Sequence, residues 1–209
     1  MMSMKPTLST GPSKTLEPGL LERRAAVAGI LGDTKDMLIV TGLAGSKDDA
    51  LAAAGDVPTL FTLSGAMGAA AAMGLGLALA QPDKRVVVVT GDGELLMNVG
   101  TLATIGVMNP PNLSVLCVDN GRYGETGWQE SHTGRGVDIA KFAEGGGIKQ
   151  VRTVTEESQI AEASKMLHGS NGTSFILLKV AATDAPKIHR NRDASYNKTR
   201  FREAVLGKA

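Results

Sequence analysis

Two short motifs in this sequence carry residue types that can hold a metal ion and a phosphate. Gly91-Asp92-Gly93 is followed, after 25 intervening residues, by Asp119-Asn120. A carboxylate and an amide oxygen are hard ligands. Mg²⁺ ordinarily takes one or two such protein groups and completes its shell with phosphate oxygens and water. The glycines let backbone N–H groups close on a phosphate, and a helix starting near Glu94 would turn its positive end toward that anion. Gly-Asp-Gly and Asn-Gly are each ordinary turns on their own. The pair is more specific, because each half directly follows an apolar run.

For Asp92 and Asn120 to meet, the segments that carry them must be neighbouring parallel strands. Residues 85–90 hold four consecutive valines and residues 113–118 form a second apolar run, both patterns of interior strands. Pro110-Pro111 ends a helix expected at 94–107. That crossover would return the chain beside the first strand and bring both motifs to one sheet edge. Further strands are expected at 37–40, 59–63, 151–154 and 174–180. Helices are expected at 16–31, 47–54, 139–144, 156–167 and 200–206. Another is expected at 69–79, apolar nearly all round and so buried. Strands alternating with helices predict an α/β fold: one doubly wound, mostly parallel sheet with helices on both faces. Ligands of such sheets bind beyond the carboxyl ends of the strands, where the turns after Val40, Leu63 and Thr90 would gather.

Composition narrows the function classes. With 22 basic and 21 acidic residues the net charge is +1, which gives no electrostatic case for nucleic acid or a membrane surface. No apolar run approaches the roughly 20 residues needed to span a bilayer. The single cysteine, Cys117, allows neither an internal disulfide nor a multi-cysteine cluster. Residues 1–16 read as a leader without an apolar signal core, 17–185 as the domain and 186–209 as a polar, basic tail; a cytoplasmic location is the default. Glycine is abundant at 26 and aromatics are only 3%, a mix suited to close helix packing and tight βα turns.

Gly91-Asp92-Gly93 through Asp119-Asn120 resembles the thiamine-diphosphate motif, a Gly-Asp-Gly followed some two dozen residues later by an Asn pair. Here Asp119 stands for the first Asn. With Leu95-Leu96-Met97, Thr101-Leu102-Ala103-Thr104-Ile105, Ser64-Gly65-Ala66-Met67-Gly68, Thr126-Gly127 and Gln129, the chain resembles the sulfopyruvate and phosphonopyruvate decarboxylase subgroup. The resemblance runs from about Arg23 to Phe201. It implies a thiamine-diphosphate-binding fold, with thiamine diphosphate and Mg²⁺ as cofactors. Asp92, Asn120 and the backbone carbonyl of Arg122 would hold the Mg²⁺. Gly65 would accept from the cofactor's 4′-amino group, Met67 would prop its bent conformation, and Ala66 between them would also line the cofactor. The turn containing Thr41, Leu43 and Ala44 would line the diphosphate, together with Gly91, Gly93, Glu94, Leu95, Tyr123 and Gly124.

The resemblance also implies a partner. Too few residues precede Ser64-Gly65 for the pyrimidine-binding domain and its activating glutamate. These would come from a separate α subunit, and the present chain would be the β subunit of a split 2-oxo acid decarboxylase. Ala69–Ala80 and Tyr123–His132 are the expected interface segments. His132 is the candidate proton donor or substrate contact, and Arg122 or Arg135 could meet a sulfonate or phosphonate. The alternatives are an acetolactate synthase-like carboligase subunit, a 2-oxoacid:ferredoxin oxidoreductase β subunit, and a non-catalytic nucleotide-binding subunit.

Overall fold

The structure, a computed structural model, describes residues 20–169, 171–184 and 187–207. The expected leader and the first residues of the expected 16–31 helix lie outside them. The main strands are β1 (Met37–Thr41), β2 (Leu60–Thr62), β3 (Arg85–Gly91), β4 (Leu113–Asp119), β7 (Gln150–Val154) and β8 (Ser174–Lys179), with a small hairpin of β5 (Arg122–Tyr123) and β6 (Gln129–Glu130). The helices are α1 (Arg23–Leu31), α2 (Ala44–Ala54), α3 (Ala70–Ala80), α4 (Asp92–Leu96), α5 (Thr101–Met108), α6 (Ile139–Gly145), α7 (Ile160–His168) and α8 (Ala194–Leu206).

The valine run decides the layering, because alternate side chains leave a strand on opposite faces. Val86 and Val88 belong to one buried cluster with Leu75 of α3, Leu102 and Ile105 of α5, Ile139 of α6 and Phe201 of α8. Val87 and Val89 belong to the other, with Val27 and Ile30 of α1, Leu51 of α2 and Leu167 of α7. Each fully buried valine contributes about 1.5–3 kcal/mol, so β3 is pinned from both sides. Gly74 of α3 serves the same packing. A Cβ on Gly74 would stand 2.1 Å from Val88 Cγ2.

The six main strands run in the order β2-β1-β3-β4-β8-β7, and every neighbouring pair is parallel. From β1 the chain proceeds outward to β2, and from β3 it proceeds the other way to β4. Their following loops part, and a crevice opens between the carboxyl ends of β1 and β3. Gly91 is opposite Val118 in the β3–β4 register, so the residues that follow each strand arrive side by side.

Several element boundaries differ from the sequence expectations. α1 begins only at Arg23, because Leu21 bridges Val180 as extended chain and Glu22 caps the helix by accepting from Arg24 N and Ala25 N. α2 begins earlier than expected, at Ala44. The helix expected at 94–107 is two helices. Asn98 and Gly100 are weak helix formers, and Asn98 Nδ2 donates to the carbonyl of Gly68 at 3.3 Å within the intervening turn. α3 is not buried all round; Leu79 is exposed on its outer side. α8 begins at Ala194, capped by Asp193. It closes over β2 with the Phe201 ring tilted against that of Phe61, centroids 5.3 Å apart, and Arg200 paired to Asp56 at 2.6 Å. Among the described residues, no helix is long and apolar enough to cross a membrane.

Candidate functional site

The crevice at the strand ends is a cleft of about 460 Å³. One wall is the first turn of α2, Leu43 to Ser46, and the opposite wall is Gly91 to Glu94. Asn120, Arg122, Tyr123 and Gly124 close a third side. Ala44 has φ +55°, one of three non-glycine residues in the left-handed region among the described residues. Such a conformation costs of order 1–3 kcal/mol and is held only where the surroundings enforce it. Trp128, also at positive φ, stands behind Gly124 in the same loop.

Asp92, 2% exposed, is anchored through one oxygen. Ser131 Oγ hydrogen-bonds its Oδ2, and Thr133 Oγ1 approaches the same atom at 2.8 Å. Thr133 Oγ1 also lies 2.7 Å from Asp119 Oδ1, so a single hydroxyl spans two carboxylates. Asp119 in turn accepts from Gly121 N at 3.0 Å and from Lys179 Nζ at 2.7 Å. Burial, and next the negative charge of Asp119, hold the Asp92 carboxyl above its ordinary range. Two buried carboxylates are thus served by one ammonium.

Asn120 completes the donor set. Its Oδ1 accepts from Arg122 N at 3.1 Å, which uses one of the two lone pairs of an amide oxygen. Among the described residues no three His, Cys, Asp or Glu side chains form a metal cage. A cation here would have one carboxylate, one amide oxygen and carbonyls, and would need other ligands from a phosphate and water. That is the pattern Mg²⁺ favours, so the residues present fit a metal–diphosphate group.

Glu94 ties the two walls together. Its Oε2 accepts from Leu43 N at 3.1 Å and from Thr90 Oγ1 at 3.0 Å. A Cβ on Gly42 would fall 1.6 Å from that same oxygen, so only glycine permits the approach. Burial raises the Glu94 carboxyl above its usual range. Gly93 is equally constrained, because a Cβ there would lie 2.2 Å from Cε1 of the Tyr123 ring. Burial, then the charge of Asp92, also raises the Tyr123 phenol.

Of the residues expected from the sequence, Leu43, Ala44, Met67, Gly91, Asp92, Gly93, Glu94, Asn120, Arg122, Tyr123 and Gly124 line this cleft. Thr41 and Leu95 do not; both are buried behind it, Leu95 in the core. Gly65 and Ala66 also stand outside its lining, on the exposed turn before α3. Met67 is 42% exposed, unlike a methionine that merely fills a core. His132 is exposed and outside the cleft, because its neighbours Ser131 and Thr133 turn their hydroxyls inward to Asp92. Arg122 and Arg135 both pair with Glu130, at 3.5 and 3.4 Å. Sequence reasoning did not find Ser131, Thr133 and Lys179. Small hydroxyls in a loop and a lysine at a strand end carry no signal until the fold gathers them.

Comparison with known proteins agrees with this geometry. The profile described as "Thiamine pyrophosphate enzyme, C-terminal TPP binding domain" matches residues 52–178. A sulfopyruvate decarboxylase of Methanosarcina acetivorans is 35% identical over 195 residues, covering 92% of this chain and 49% of that protein. A sulfopyruvate decarboxylase subunit beta of Methanocaldococcus jannaschii is 48% identical over 98 residues, covering 47% of this chain and 50% of that one. The chain thus spans about half the length of these curated relatives. Benzoylformate decarboxylase from Polynucleobacter necessarius superposes with a TM-score of 0.64 at 19% identity, over 85% of this chain and 36% of that one, which shows a common fold. With the profile matching more than half of its residues, the chain belongs to the thiamine pyrophosphate enzymes and carries their C-terminal TPP-binding domain.

Proposed function

We propose that this chain is the diphosphate-binding β subunit of a split thiamine-diphosphate-dependent decarboxylase acting on sulfopyruvate or a similar small 2-oxo acid. The observation that carries the reading is the placement of Asp92 and Asn120 at the ends of neighbouring strands β3 and β4, beside the uncapped N-terminus of α2. Asp92, Asn120 and the Arg122 carbonyl would hold Mg²⁺, whose charge would offset that of a diphosphate. Ser131 and Thr133 fix the other oxygen of Asp92, so its orientation is set before the ion arrives. Bound thiamine diphosphate supplies the electron sink through which a 2-oxo acid loses CO₂ and yields an aldehyde. This chain's own share is to fix the diphosphate and so aim the cofactor at the substrate.

Support for the substrate class is the similarity to proteins named sulfopyruvate decarboxylase and sulfopyruvate decarboxylase subunit beta. Support for a separate α subunit, bearing the pyrimidine-binding domain and its glutamate, is the exposed apolar surface beside the cleft. Met67 and Met97 are 42% and 56% exposed there, where a second domain would cover the other end of the cofactor. Cys117 is sealed inside β4, so it is out of reach of an iron–sulfur cluster.

The test is titration calorimetry with thiamine diphosphate and Mg²⁺ on the chain, alone and with the pyrimidine-domain subunit, followed by assay of CO₂ and aldehyde from sulfopyruvate. Metal-dependent binding that Asp92→Ala abolishes is expected. Binding unaffected by Asp92→Ala, or none in either setting, would end this reading; a carboligated product from pyruvate would move it to the acetolactate synthase-like branch.

A further inference from the structure

The guanidinium groups around the cleft fall into two sets. Arg23 rests against Gly45 in the first turn of α2, but its fork is engaged by Asp49 at 2.6 to 3.1 Å. Arg122 and Arg135 share Glu130, and Arg200 is held by Asp56. Each of these charges is offset where it stands. Arg190 and Arg192 differ. Arg190 meets only a hydroxyl and a carbonyl: its Nη2 donates to Ser64 Oγ at 2.7 Å and its Nη1 to Asn191 O at 3.0 Å. The Arg192 side chain makes no hydrogen bond or ion pair among the described residues.

Both arginines stand on one segment, residues 187–192, that begins at the rim of the cleft and is fixed by its backbone. Ile188 N donates to Asp48 Oδ1 and Asn191 N to Asp56 Oδ2, each at 3.4 Å, while Asn191 O accepts from Asn197 Nδ2 at 2.9 Å. Lys187 lines the cleft itself. The next five residues, Ile188 to Arg192, line an adjoining hollow of about 510 Å³. Its wall carries two guanidinium groups and the His189 imidazole, and no carboxylate. The acids on this edge are occupied: Asp56 by Arg200 and Asn191 N, and Asp193 by Tyr196 N as the cap of α8. Unpaired guanidinium groups around a hollow favour an oxyanion, whose oxygens match their planar fork. Position decides which oxyanion. Arg190 is tied to Ser64, the residue before Gly65, and so to the turn that the cofactor reading places at the aminopyrimidine rather than at the diphosphate.

We propose that Arg190 and Arg192 form the subsite for the strongly acidic group at the far end of the 2-oxo acid substrate, a sulfonate or phosphonate, and set the preference for such acids over pyruvate. The inference rests on the cofactor reading above and adds substrate-recognition residues from the C-terminal segment, away from the Gly-Asp-Gly motif. It also takes that role from Arg122 and Arg135, whose charges Glu130 offsets. The same oxyanion chemistry belongs to the cofactor's diphosphate, and the experiment separates the two sources.

The full chain, assembled with the pyrimidine-domain subunit, thiamine diphosphate and Mg²⁺, is assayed with sulfopyruvate, and with pyruvate as second substrate or competitor. Sulfoacetate, an unreactive sulfonate, is titrated into the same assembly by calorimetry. Arg190→Lys keeps the charge but loses the fork. Arg192→Met removes a side chain that holds no other residue, so it keeps the test open if the Arg190 variant fails to fold. In variants with the wild-type melting profile, KM for sulfopyruvate and the sulfoacetate dissociation constant should each rise about 10- to 100-fold, the scale of a lost charge-assisted hydrogen bond, with kcat and thiamine diphosphate affinity within about 2-fold. Pyruvate, which lacks the sulfonate, should bind as it does to the wild type. Unchanged KM and sulfoacetate binding in folded variants overturn this inference alone. An equal rise for pyruvate makes the effect a structural one and overturns it as well. Weakened thiamine diphosphate binding with an unchanged KM gives the guanidinium groups to the diphosphate and overturns the substrate assignment. A wild type that binds no thiamine diphosphate, or that turns over neither acid, sinks the cofactor reading and this inference with it.

Discussion

Lys179 Nζ, at the end of β8, lies 2.7 Å from Asp119 Oδ2 at the end of β4. Asp119 is 14 residues from Thr133, whose hydroxyl touches both Asp119 and Asp92. The ammonium thus offsets one of two neighbouring buried carboxylates.

Removing that ammonium should be costly in a specific way. Lys179→Met leaves Asp119 buried beside Asp92 without its counter-charge. The expected loss is about 1–3 kcal/mol, below the cost of breaking a fully buried pair because the lysine is partly exposed. Adding Asp119→Asn removes the orphaned charge, so the double variant should recover most of the loss. Urea unfolding of Lys179→Met, Asp119→Asn and the double variant measures this, and additive losses would show that the two residues do not act as a pair.

Acidification should weaken the proposed metal site. Protons compete with a divalent ion for Asp92, whose carboxyl is raised above 3.8 by burial and by Asp119. Affinity is full above the raised value and falls about tenfold per pH unit below it. Folding responds in the opposite sense. The folded Asp92 holds its proton more tightly than the unfolded chain does, so the metal-free protein loses stability as pH rises from about 3.8 through the raised value. Asp49 and Glu94, both raised by burial, act in the same direction. Mn²⁺ binding and urea melts across this range should therefore run in opposite directions.

Gly93→Ala should strain the cleft at one place. The new methyl would overlap the Tyr123 ring, with Cδ1 at 2.8 Å as well as Cε1 at 2.2 Å. Overpacking of this kind costs about 1–3 kcal/mol. Tyr123→Ala in the same chain should restore stability while leaving diphosphate affinity reduced. If the double variant is no more stable than Gly93→Ala alone, the clash is not with the ring.

Met67→Ala should separate stability from function. The side chain is half out of the protein, so thermal unfolding should change by less than about 0.5 kcal/mol. If Met67 props the cofactor, turnover by the assembled enzyme should fall on the order of tenfold through lost positioning. A wild-type kcat in a folded Met67→Ala variant would remove it from the site.

The sequence alone determined the layered sheet and the meeting of the two motifs. A four-valine strand is the pattern of a strand buried on both faces, as in the interior of a parallel sheet, and crossover handedness returns the chain beside it. Asp92 and Asn120 were legible because their positions follow from local elements plus this one connection. The break at Asn98 was not legible, since it depends on the carbonyl of Gly68, 30 residues away. Nor were Ser131, Thr133 and Lys179 as partners of the carboxylates, or Arg23 as a neighbour of α2. Long-range hydrogen bonds between side chains have no period or spacing in the chain. Only the tertiary structure decides which hydroxyl reaches which acid, and it turned His132 outward by turning its two neighbours in.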